Sequence, residues 1–127
     1  MYTLFMSKTM PQEIEVWYLI PAIRREVANV LIAEHKLKQK EVAQILGITE
    51  AAISQYIKAK RAQELKFSPE EMEQIKQVSK KILEDRKNIT KYIYDLCVAF
   101  RGNKSICELH KKFDKSVDKD CKICSAM

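Results

Sequence analysis

The chain has 127 residues, with 23 Lys plus Arg against 17 Asp plus Glu, a formal net charge of +6 and a pI near 9.1. Apolar residues make up 46% and charged residues 31%, with only two glycines and three prolines; this balance excludes a disordered chain and argues against a sandwich, whose turns need those breakers. An all-α protein is expected, cytoplasmic and without a membrane anchor, since no apolar run reaches spanning length and residues 1–10 lack the features of a signal peptide; the basic excess points to a polyanionic partner.

In chain order, Val16, Trp17, Tyr18 and Leu19 form a dense apolar patch of open conformation, read as core. Ile20, Ile23, Val27, Val30 and Leu31 recur at helical intervals, and Pro21 suits a first turn, which predicts a helix over 21–34. Val42, Ile45 and Leu46 predict a short helix over 38–46 that stops at Gly47, where a left-handed conformation carries no steric cost. Thr49 is an N-cap for a helix over 50–60, with Ala52, Ile53, Tyr56 and Ile57 on one side. Two short helices separated by a glycine turn make a helix-turn-helix pattern.

Ser68, Pro69 and Glu71 supply an N-cap, a first-turn proline and a capping-box glutamate for a helix whose stripe is Met72, Ile75, Val78 and Ile82. A helix over 89–100 follows, striped by Ile89, Ile93, Leu96 and Phe100 and stopped at Gly102, then a short helix over 105–113. The expected division is a DNA-binding part, 1–66, and a helical dimerisation and metal-binding part, 67–127.

The second helix of the pair separates its faces. At about 100° per residue, Ala51, Ser54, Gln55 and Lys58 fall within one arc and the apolar set falls opposite. Gln55 can pair in bidentate fashion with adenine, Ser54 can donate or accept, Ala51 can meet a thymine methyl, Lys58 can reach guanine or phosphate, and Glu50 can accept from a cytosine amine. Gln39, at the start of the preceding helix, is placed to hold a phosphate. Lys38, Lys40, Lys60 and Arg61 supply attraction to any duplex. A solvated helix face on a bundle shows the same polar arc.

The stretch KQKEVAQILGITEAAISQYIKAKR resembles the helix-turn-helix of lambda-repressor-like, XRE-type transcriptional regulators. In that resemblance Gln39 occupies the phosphate-clamping glutamine, Ala43 the small residue of the first helix, Gly47 the turn glycine and Ile53 the core position of the recognition helix. Thr49, Glu50, Ala51, Ser54, Gln55 and Lys58 stand where the family contacts DNA, with Ala51 at a position that is often polar. VWYLIPAIRREVANVLI before the motif, and ICELH and CKIC after it, are similar to a group of small archaeal-type regulators, some of which carry a cysteine where this chain has Gln12. The resemblance implies a lambda-repressor-like bundle with a C-terminal cysteine-bearing extension, and regulation of transcription as a homodimer on double-stranded DNA.

Cys97, Cys107, Cys121 and Cys124 are the only cysteines, spaced C-x9-C-x13-C-x2-C. A reducing cytosol argues against two disulfides, leaving a four-thiolate metal site or small buried apolar residues and a bare dithiol. Residues 103–127 have few large apolar side chains, so a metal supplies a constraint that packing lacks. A single close cysteine pair with long irregular spacings favours a [4Fe-4S] cluster over zinc. His110 is read as a surface residue. The alternative function is a zinc-stapled interaction module without sensing, such as an antitoxin-like protein. An enzyme is not expected, because the CxxC lacks a βαβ setting and no catalytic constellation accompanies it.

Overall fold

The helix expected over 21–34 is present over Ile20–Ala33 with Pro21 in its first turn, but helical backbone already begins ten residues earlier. In the computed structural model, which describes residues 10–58 and 65–113, the backbone is helical from Pro11 through α1 (Pro11–Ile14), a π-helical segment (Glu15–Leu19) and α2 (Ile20–Ala33). Proline lacks an N–H and its ring crowds the carbonyl four residues back, so an ordinary turn is costly there. The wider π turn avoids that crowding: the Ile20 N–H donates to the Glu15 carbonyl instead. The apolar patch ahead of Pro21 therefore divides by angle, with Leu19 fully buried, Trp17 and Tyr18 half-buried and Val16 exposed.

The remaining elements are α3 (Gln39–Leu46), α4 (Glu50–Ile57), α5 (Pro69–Glu84), a 3-10 turn (Arg86–Asn88), α6 (Ile89–Phe100) and α7 (Lys104–Phe113). No strand occurs among the described residues, so the all-α expectation holds. α2 is the central element and packs against α3, α4, α5 and α6. Its stripe of Ile23, Val27, Ala28 and Leu31 is fully buried, and the Ile, Val and Leu side chains contribute roughly 1.5–3 kcal/mol each. One core joins Leu19, Leu31, Ile53, Ile75, Ile82 and Phe100, running across the boundary drawn at residue 66.

Local signals fix the starts and stops. The Ser68 Oγ accepts from the Glu71 N–H at 3.2 Å, and Glu71 Oε1 accepts from the Ser68 N–H at 2.8 Å. Glu71 is nonetheless buried, and its second oxygen accepts from Asn103 Nδ2 at 2.7 Å. The capping box thus also ties α5 to the turn before α7. Asp85, between α5 and the 3-10 turn, accepts from Asn88 Nδ2 and the Tyr92 hydroxyl, bonds that hold its carboxyl below the usual range.

α7 packs against α1, which overturns the surface expectation for His110. Ile106, Leu109 and His110 share one helical face, and all three are buried. Ile57 also departs from expectation. It lies at the edge of the apolar arc of α4 and is 38% exposed, whereas Ile53 and Tyr56, nearer the centre, are buried. No helix among the described residues is long and apolar enough to cross a membrane.

Candidate nucleic-acid interface

α3 and α4 are held as a unit by their turn. Gly47 closes α3 in the left-handed region at φ 69°, its N–H donating to the Ala43 carbonyl, which also accepts from the Ile48 N–H at 3.1 Å. A Cβ at Gly47 would meet nothing within 4 Å, so the glycine answers a backbone requirement and not a lack of space. Thr49 then starts α4 from an extended conformation, its Oγ1 accepting from the Ala52 N–H at 3.1 Å. Ile53 and Tyr56 fix the rotation of α4 by burial against the core.

That rotation leaves Glu50, Ala51, Gln55 and Lys58 exposed, together with Thr49 at the cap. Ser54 is half-buried, and its hydroxyl donates to Gln39 Oε1 at 3.2 Å. The bond joins residues fifteen apart in sequence, one at the first position of α3 and one in the middle of α4. Gln39 is exposed, and with its oxygen engaged by Ser54 its amide has NH2 donors to offer. Lys38 precedes α3 without capping it through a side chain, so among the described residues no N-cap side chain takes up the first N–H groups of that helix, which carry the positive end of its dipole.

Charge around this face is predominantly basic. Lys38, Lys40 and Lys58 are exposed, and the carboxylate of Glu41 on α3 is matched by Arg86 Nη1 at 3.1 Å. Both partners are well exposed, so the pair adds little stability; it does remove one negative charge from the neighbourhood of Gln39. Glu50 remains as the exposed acid on the arc. Lys60 and Arg61 lie outside the described residues.

The expected cysteine site is described only in part, since Cys121 and Cys124 lie outside the described residues. Cys97 is buried in α6, where desolvation and then Glu15 push its thiol up to about 11, against the opposing pull of Arg101 and Arg24. Cys107 is half-buried in α7, its Sγ 3.6 Å from the Gly102 carbonyl. Each thiol lines a different cavity, and the two cavities share Glu15 and Arg101 in their walls. Among the described residues no three His, Cys, Asp or Glu side chains converge as a metal site.

Glu15 and Arg101 escaped sequence reasoning altogether. Arg101 Nε donates to Glu15 Oε1 at 2.7 Å and Nη2 to Oε2 at 3.4 Å. Their separation of 86 residues leaves no local signal. The Gln39–Ser54 bond was hidden differently: both residues stood out as DNA contacts, and their contact with each other needed the relative placement of the two helices. The chain matches no protein-family model, no curated protein and no solved structure.

Proposed function

We propose that this chain is a sequence-specific, double-stranded-DNA-binding transcriptional regulator of the cytoplasm, with α3, the Gly47 turn and α4 acting as a lambda-repressor-like helix-turn-helix. The observation that carries the reading is the Ser54 to Gln39 hydrogen bond, which couples the residue that would meet a phosphate to the helix that would meet base edges. In this reading α4 enters the major groove. Gln55 takes adenine through its side-chain amide, Lys58 reaches guanine or phosphate, Ala51 meets a thymine methyl, and Glu50 accepts from a cytosine amine. The Gln39 NH2 group and the first N–H groups of α3 hold one phosphate.

Two residues take narrower roles than their chemistry alone allows. The Ser54 proton is engaged by Gln39, so toward a base Ser54 acts as an acceptor. The Thr49 oxygen already caps α4, and its remaining hydrogen is available to a phosphate. Lys38, Lys40, Lys60 and Arg61 supply salt-dependent attraction to any duplex. One recognition helix covers few base pairs, so the functional unit is a homodimer with two reading helices about one turn of duplex apart.

Selection from a random duplex pool, followed by sequencing, tests this. Enrichment of a two-fold symmetric site with half-sites about 10 base pairs apart is expected; a pool that stays random points to the antitoxin-like interaction module instead.

The cysteine tail is a separable proposal. Cys97 and Cys107 would join Cys121 and Cys124 around a [4Fe-4S] cluster or a zinc ion, and Arg101 beside Cys97 would offset thiolate charge. Iron, sulfide and zinc analysis of anaerobically purified protein distinguishes the two, and protein free of all three removes the proposal.

A further inference from the structure

A cavity of about 260 Å³ lies where the π segment, the start of α2, the end of α3 and one face of α6 meet. An apolar cavity of about 150 Å³ accommodates benzene, so this one has room for a ring or a short acyl chain. Ile20, Leu46 and Ile93 give it an apolar lining, and Glu15, Arg24 and Arg101 are its charged groups.

Those three charges do not balance. Arg101 and Glu15 satisfy each other through their two hydrogen bonds. Arg24 is half-buried and, among the described residues, has neither a carboxylate partner nor a side-chain hydrogen bond. The lining therefore holds one guanidinium that no carboxylate among the described residues matches, beside an apolar space. A planar fork of N–H donors matches a carboxylate, and a monoanion is cheaper to desolvate against such walls than a phosphate dianion.

We propose that this cavity binds a small amphipathic monocarboxylate, its tail against Ile20, Leu46 and Ile93 and its head on the Arg24 guanidinium. None of Gln39, Ser54, Gln55 or Lys58 lines the cavity, so the site is distinct from the proposed DNA-facing arc and does not depend on that reading; Cys97 does line it, so a metal held there would compete with the carboxylate, and the proposal is made for metal-free protein.

Titration calorimetry and methyl NMR on the full chain test it with three probes of one chain length: octanoate, 1-octanol and octylammonium. Octanoate is expected to saturate one site and shift the methyls of Ile20, Leu46 and Ile93, with 1-octanol about tenfold weaker and octylammonium weaker still. Arg24→Gln is expected to bring octanoate down to the affinity of 1-octanol, and Thr90→Trp, an exposed change in the lining, to abolish both. The three head groups compared on the unaltered chain decide the matter even if Arg24→Gln fails to fold. Equal binding of octanoate and 1-octanol, or shifts confined to other methyls, overturns the proposal.

Discussion

The Ser54 hydroxyl and the Gln39 side-chain oxygen lie 3.2 Å apart, joining the middle of α4 to the first residue of α3. The bond does for the exposed side of this helix pair what Ile53 and Tyr56 do for the buried side: it fixes how α4 is rotated relative to α3. If Gln39 contacts phosphate, its orientation on DNA depends on Ser54. A double-mutant cycle with Ser54→Ala and Gln39→Ala, measured as duplex affinity, is therefore expected to give a coupling of about 0.5–1.5 kcal/mol. Additive losses would mean that the bond is incidental to binding.

Gly47→Ala isolates the turn. The left-handed φ of 69° strains any residue with a Cβ, while no neighbouring atom obstructs one. A loss of about 1 kcal/mol in urea-induced unfolding is expected, with a smaller loss for Gly47→Asn, which tolerates that region better. Equal stability of the alanine variant would show that the turn relaxes.

Arg101→Gln tests the link between the π segment and the end of α6. Both side chains are partly buried, at 26% and 12% exposure, and the change leaves the Glu15 carboxylate without its strong partner. A loss of about 1–2 kcal/mol in chemical unfolding is expected after allowance for solvent screening. A change within a few tenths would place the pair among ordinary surface contacts.

Cys97 gives a pH signature. Its thiol is raised from 9.0 to about 11, chiefly by desolvation. In metal-free protein the unfolded chain releases this proton first, so the contribution is fully present below pH 9 and disappears as pH rises toward 11. Stability of the native chain is expected to fall across that window more steeply than in Cys97→Ala. At neutral pH, Cys97 should resist iodoacetamide until the protein is unfolded, which peptide mapping of the alkylated sites reads directly. Rapid labelling of native protein at neutral pH would contradict the burial.

Local chemistry was legible in the sequence to the extent that neighbours in the chain carried it. Ser68 with Glu71, Thr49 before α4 and Gly47 after α3 all act within a few residues, and the structure has each in the expected role. The stripe of α6 was equally plain, with Ile93, Leu96 and Phe100 buried at helical spacing. Pro21 stands in the first turn of α2 as expected; what it did not reveal is the helical backbone ahead of it, where a π turn absorbs its ring. His110 misled because its exposure depends on α1, almost a hundred residues earlier in the chain. At the candidate site, the residue types and the exposed arc were readable from helical periodicity; the Gln39 to Ser54 bond, the Glu41 to Arg86 pair and the place of Arg24 in the cavity wall came only from tertiary placement.

The most direct test is fluorescence anisotropy of the native chain and Gln55→Ala on an enriched duplex and a random one, at one fixed salt concentration. Gln55 is exposed on α4 and contributes nothing to the core, so the fold is left intact. The account predicts a loss of about 1–3 kcal/mol on the enriched duplex, removal of the preference at one base pair and no change on the random duplex. Equal losses on both, or none on either, would contradict a base-reading role for α4.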